Sequence, residues 1–138
     1  MRKEWEEAVR RGDCESVRRL IEEGAELDSK DQYGQTSLMI ASMKGHTDIV
    51  RLLVQSGAEL NTTAKFNLSA LMLAVINAHT EIVRILVEAG ADLELRGTGA
   101  IGFFCKTALE LAEQAGRDEI VEILRDAAAS RHQQANKP

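Results

Sequence analysis

The residues of this 138-residue chain with the most evident chemical potential lie in its C-terminal third. Gly97-Thr98-Gly99-Ala100-Ile101-Gly102 spells G-x-G-x-x-G, the glycine pattern that lets a backbone approach a dinucleotide pyrophosphate. That chemistry needs a buried strand just before the glycines and a helix opening at the third. Here Asp92 to Arg96 close a preceding segment, and the next helix signal, Thr107, comes five residues after Gly102. The motif reads as a glycine-flanked loop, and no cofactor is expected. Cys14 and Cys105, with His46, His79 and His132, show no spacing of a zinc site, so no metal is expected. No carboxylate pair or nucleophile–base arrangement stands out, so no catalytic residue is assigned and the chain is not expected to be an enzyme. The aromatics are more informative. Tyr33, Phe66 and Phe104 each stand five residues before a leucine: Leu38, Leu71 and Leu109. A recurring aromatic position suits contact chemistry, because large rigid rings carry much of the energy of protein interfaces.

Composition agrees with binding and excludes several partners. Hydrophobic residues make up 44% and charged residues 28%, ordinary for a soluble globular domain. The formal charge of −5 has the wrong sign for nucleic acid or an anionic membrane surface. The longest apolar stretch, Ala70 to Ile76, is far too short to span a bilayer, so no membrane insertion is expected. Met1 to Glu7 contains no apolar run of a signal peptide, and two cysteines make no disulfide framework. The expected setting is cytoplasmic and/or nuclear. The only proline is Pro138, which favours helices over a β-sandwich.

These positions are organised by a repeat. Gly-Ala recurs at 24–25, 57–58 and 90–91, a spacing of 33 residues. Val17, Val50 and Val83 fall in register, as do Leu20, Leu53 and Leu86. A further copy continues through Ala112, Gly116, Val121 and Leu124 at an offset of 38, so five extra residues lie between Gly90 and Thr107. Thr36, Ser69 and Thr107 precede short apolar runs, where a hydroxyl caps free backbone N–H groups. Asp48, Glu81 and Asp118 open a second run in each copy, suited to a helix N-terminus.

The stretch Asp31-Gln32-Tyr33-Gly34-Gln35-Thr36-Ser37-Leu38-Met39-Ile40-Ala41, with Gly45-His46-Thr47-Asp48-Ile49-Val50-Arg51-Leu52-Leu53 and Gly57-Ala58-Glu59-Leu60-Asn61, resembles an ankyrin repeat. The resemblance implies an all-α solenoid of helix–loop–helix units with short β-hairpin fingers. It divides a single domain, 1–129, into a capping unit over 1–30, units over 31–63 and 64–96, and a last unit over 97–129 with the insertion in its finger. Residues 130–138 read as a disordered tail. Against the usual T-P-L-H, this chain has Ser37, Ala70 and Ala108 for proline, and Met39, Met72 and Glu110 for histidine. The His–Thr link between neighbouring units is therefore not expected. Asn67 and Ala78 replace two expected glycines. Asparagine tolerates a left-handed turn, whereas Ala78 has no evident compensation.

The resemblance implies non-catalytic binding of a partner protein or peptide in the concave groove formed by fingers and inner helices, and the polar end helices lead us to expect a monomer. Tyr33, Phe66 and Phe104 would line that groove, with Met43 and Ile76 from the inner helices. Ile101 and Phe103 would project from the inserted loop. Gln32, Lys44 and Lys65 would edge the face with Lys30 and Lys106, admitting acidic or phosphorylated peptides at the rim. For each ring the alternative is packing against neighbouring fingers. A regulatory inhibitor subunit of an enzyme would use the same groove. An engineered scaffold is the other alternative, against which stand two cysteines and the irregular insertion.

Overall fold

The computed structural model describes residues 1–99 and 105–136. Among them are eight α-helices: α1 (Lys3–Arg11), α2 (Cys14–Glu22), α3 (Ser37–Lys44), α4 (Thr47–Gln55), α5 (Ala70–Ile76), α6 (Thr80–Glu88), α7 (Ala108–Gln114) and α8 (Asp118–Ala135). They pair as antiparallel hairpins, α1 with α2 through α7 with α8. The odd-numbered helices pack side by side in one layer and the even-numbered helices in a second.

Local chemistry starts the odd helices where the hydroxyls stand. Thr36, Ser69 and Thr107 accept hydrogen bonds from the backbone N–H groups of Met39, Met72 and Glu110 at 3.3, 3.3 and 3.2 Å. The middle helices are buried almost all round: Ser37 to Ser42 in α3 and Ala70 to Val75 in α5. Such a helix must be covered on every side. α3 is covered by α1, α4 and α5, and α5 by α3, α6 and α7. The even helices are amphipathic instead. Ile49, Val50 and Leu53 face inward from α4, and Ile82, Val83 and Leu86 from α6. On the wet side Arg51 reaches Glu81 at 3.0 Å and Arg84 reaches Glu119 at 3.2 Å, each bridging to the next unit. Exposed pairs of this kind contribute about 0.2–1 kcal/mol each.

The absent T-P-L-H is replaced. Ser37 donates its hydroxyl to the Leu27 carbonyl at 3.0 Å, while Met39 and Met72 fill the core at the histidine position. The link between units comes from other histidines. His46 Nε2 lies 3.2 Å from the Arg10 carbonyl and His79 Nε2 lies 3.0 Å from the Met43 carbonyl, each reaching back one unit. A carbonyl only accepts, so Nε2 carries the proton in both. Each ring lies over a glycine of the preceding unit. A Cβ on Gly12 would stand 2.8 Å from His46 Cε1, and one on Gly45 2.7 Å from His79 Cε1. This explains Ala78. It holds the same left-handed conformation, φ 58°, but the next unit has Arg117 at the histidine position, so no imidazole claims the space of its Cβ.

Among the described residues the fingers are turns closed by few backbone bonds. Single antiparallel bridges, Lys30 with Thr36 and Thr63 with Ser69, stand where strands are expected. Of the tail expected to be disordered over 130–138, residues 137 and 138 lie outside the described residues, and the rest needs correction. α8 continues to Ala135, and Arg131 donates to the Ala91 carbonyl at 2.7 Å and the Val87 carbonyl at 2.9 Å. A cation on the last carbonyls of α6 and its following turn is favourable in charge and geometry. Polar composition alone misses this because the anchoring residue is itself polar.

Gly45→Ala is expected to lower unfolding free energy in urea by about 2–4 kcal/mol, from left-handed strain plus displacement of His79. At Gly116 nothing lies within 4 Å of a Cβ, and Gly116→Ala should cost only about 1–2 kcal/mol. Arg117→His is expected to cost about 1–2 kcal/mol opposite Ala78 and to be tolerated in an Ala78→Gly background. Equal losses in both backgrounds would contradict the steric account.

Candidate functional site

The finger turns are built on one scheme. Asp31, Ala64 and Gly97 donate their backbone N–H groups to the carbonyls of Gln35, Leu68 and Lys106 at 2.9, 3.0 and 2.9 Å. Within each turn Gly34, Asn67 and Cys105 bond back to Asp31, Ala64 and Gly97 and take left-handed φ values of 77°, 57° and 57°. The base of the turn is thus the same in all three units, although the last carries five more residues. Gly97 and Gly99 belong to this turn, α7 opens only at Ala108, and among the described residues no strand precedes them.

Neighbouring fingers are tied together. Thr98 donates its N–H to the Phe66 carbonyl at 2.7 Å, and Asn67 donates its side-chain amide to the Arg96 carbonyl at 2.8 Å. Phe66 itself is left-handed, φ 63°, a conformation that costs a residue with a Cβ about 1–2 kcal/mol. Its ring is half-buried, with Lys65 Nζ 4.9 Å from its centroid. Gly99 lies so close that a Cβ there would come within 3.2 Å of Phe66 Cδ1.

Tyr33 occupies the same register one finger earlier but is 65% exposed. Between the two rings lies a cleft of about 350 Å³, lined by Tyr33, Gln35, Ala64, Lys65, Phe66, Leu68 and Leu73. The structure therefore brings Tyr33, Lys65 and Phe66 together. Met43 and Ile76 are half-buried against the core and do not line the cleft; nor do Gln32 and Lys44, both exposed. Phe104, Ile101 and Phe103 lie outside the described residues. Gln35, Leu68 and Leu73 are cleft residues that sequence reasoning missed, although Leu73 shares its register with the apolar Ile40 and Leu111.

Charges around the turns are sharply divided. Asp31 has a fully buried side chain, held by Arg10 at 2.7 Å and by the N–H groups of Tyr33 and Gln35, both at 2.9 Å. Glu110 accepts from Arg96 at 3.1 Å and from the Thr107 hydroxyl at 3.2 Å, while its backbone N–H donates to that hydroxyl at 3.2 Å. Partial desolvation pushes its carboxyl upward, but the Thr107 bonds and the Arg96 charge outweigh it and hold the group below the usual carboxylate range. Among the described residues no ion pair reaches Lys30, Lys44, Lys65 or Lys106.

Elsewhere, a larger cleft of about 510 Å³ at the N-terminal end is walled by Met1, Arg2, Trp5 and Ala25, with Glu26 as its one carboxylate. Among the described residues no three His, Cys, Asp or Glu side chains cluster as metal ligands, and no helix is long and apolar enough to cross a membrane. Cys14 and Cys105 are free thiols.

The family model for ankyrin repeats matches residues 5–97 in three copies, about two thirds of the chain. The chain belongs to the ankyrin repeat family. No curated protein matches it. Ankyrin repeats are generally protein–protein interaction modules and typically non-catalytic, and this ankyrin chain has its aromatic cleft on the fingers.

Glu110 offers a titration test. A carboxyl held below its unfolded value adds stability above that value and loses it as pH falls through the folded one. Unfolding midpoints should therefore drop more steeply on acidification for the wild type than for Glu110→Gln. Parallel pH profiles would show that the Thr107–Arg96 arrangement does not stabilise the ionised form.

Proposed function

We propose that this ankyrin domain recognises a partner protein or peptide, without catalysis, through the finger cleft and the adjoining inner helices, as a monomer in the cytosol or nucleus. The observation that carries the reading is Tyr33. Among the described residues it is the large apolar side chain that stands out to solvent, and it stands beside a preformed cleft floored by Leu68 and Leu73. Exposed rings over a pocket supply contact area at small entropic cost, because the turn that holds them is already ordered. The finger bonds from Thr98 and Asn67 keep the second wall of that cleft in place before any partner arrives. Phe66 serves both as wall and as packing, so its two roles have to be separated from those of Tyr33.

Tyr33→Ala is expected to leave unfolding free energy within about 0.5 kcal/mol of wild type while reducing capture of cellular protein on the immobilised chain by about tenfold. Phe66→Ala should lose about 1–2 kcal/mol of stability as well, from lost burial. Retention that is indifferent to Tyr33→Ala would remove the cleft from the binding face.

A further inference from the structure

We propose that the cleft between Tyr33 and Phe66 takes an acidic peptide segment, one apolar side chain seated between the rings and an Asp or Glu carboxylate at Lys65. The inference rests on the reading of the fingers as a recognition surface and names the chemistry that surface selects. The argument is one of charge. The protein as a whole carries −5, yet α3 and α5, which form the middle of the inner layer, carry a single charged residue between them, Lys44. On the three turns the carboxylate, Asp31, is already answered by Arg10 and two backbone N–H groups. Arg96 is answered by Glu110. What remains open to a partner is one ammonium per turn: Lys30, Lys65 and Lys106. Most of the arginines paired in the fold lie on the cap and the outer helices. Glu59 and Asp92, in the loops before the turns, accept from the backbone N–H groups of Asn61 and Glu94.

Lys65 is placed for the task. Its ammonium lies 4.9 Å over the Phe66 ring, which draws the charge to the lip of the cleft. Beneath it Leu68, Leu73 and Ala64 present apolar surface in a space of about 350 Å³, room for a leucine or an aromatic ring. A carboxylate beside an apolar side chain matches both features at once. The cations are single ammonium groups spread one to a turn. Phosphate recognition in peptides uses clustered arginines, and the free cations here are not clustered. The field of these lysines also steers an acidic segment toward the inner face of a protein that repels it elsewhere.

The test is selection of random short peptides displayed against the immobilised full chain, run in parallel on Tyr33→Ala. Peptides recovered on wild type but not on Tyr33→Ala should carry Asp or Glu beside Leu, Ile, Phe or Trp. For a synthesised member of that pool, anisotropy titration should show about fivefold weaker binding with Lys65→Glu and further loss in high salt. A partner peptide with Lys in place of its acidic residue should bind Lys65→Glu better than wild type. A Tyr33-dependent pool without acidic enrichment would overturn the acidic partner and leave the recognition surface standing. A pool indifferent to Tyr33→Ala, or none at all, would overturn both. Binding gained only when phosphoserine replaces the acidic residue would overturn the carboxylate assignment in favour of a phosphopeptide.

Discussion

Everything in this molecule depends on the fact that no unit can cover its own inner helix. α3 and α5 have no polar stripe to give to water, so each must be flanked on both sides by another unit. Stability in such an array is a sum of unit and interface terms, and the interface terms are what make it fold. The end helices differ accordingly. α1 buries Trp5, Ala8 and Val9 and keeps its other faces charged, while α7 buries Ala108, Leu111 and Ala112 and exposes carboxylates that Arg96 and Arg125 engage.

Burial alone would let units slide or rotate against one another, since dispersion and hydrophobic contact are non-directional. The histidines remove that freedom. A ring that must bond one carbonyl and lie close over one glycine has a single position, and His46 and His79 impose it at successive interfaces. Asp28 and Asn61 add a second directional bond at the loops, accepting from the N–H groups of Glu59 and Asp92 one unit on, both at 2.8 Å. The last interface lacks the histidine. There Arg131, reaching from the end of α8 to the carbonyls of Val87 and Ala91, supplies a directional contact of a different kind.

The parts of this fold legible in the sequence are those that repeat. The period places Thr36, Ser69 and Thr107 as helix caps, and the structure has each hydroxyl in that role. The aromatic register is equally plain, because Tyr33 and Phe66 stand at the same offset from a leucine. What the period hides is whatever differs between copies. Ala78 looks like a defect until the residue across the next interface, Arg117, is seen to leave it room. Ser37 and Met39 look like losses from a motif, but one finds the Leu27 carbonyl and the other fills the core. Arg131 is invisible for a simpler reason: its partners are backbone carbonyls 40 and 44 residues away, which no side-chain pattern records.

The difference between Tyr33 and Phe66 shows how one register yields two physical roles. Phe66 leans toward the next finger along the row. Phe66 meets Gly99, whose missing Cβ lets the ring come close, and the Thr98 N–H holds the Phe66 carbonyl so that the strained backbone stays put. The insertion thus acts on its neighbour, supplying the glycine against which a left-handed phenylalanine can rest. Tyr33 has no such floor. Its turn needs one left-handed residue, Gly34, and the space beyond its ring is the cleft. One aromatic is spent on holding the fingers in line, and that order keeps the other beside an open, apolar and locally cationic space in an otherwise acidic protein.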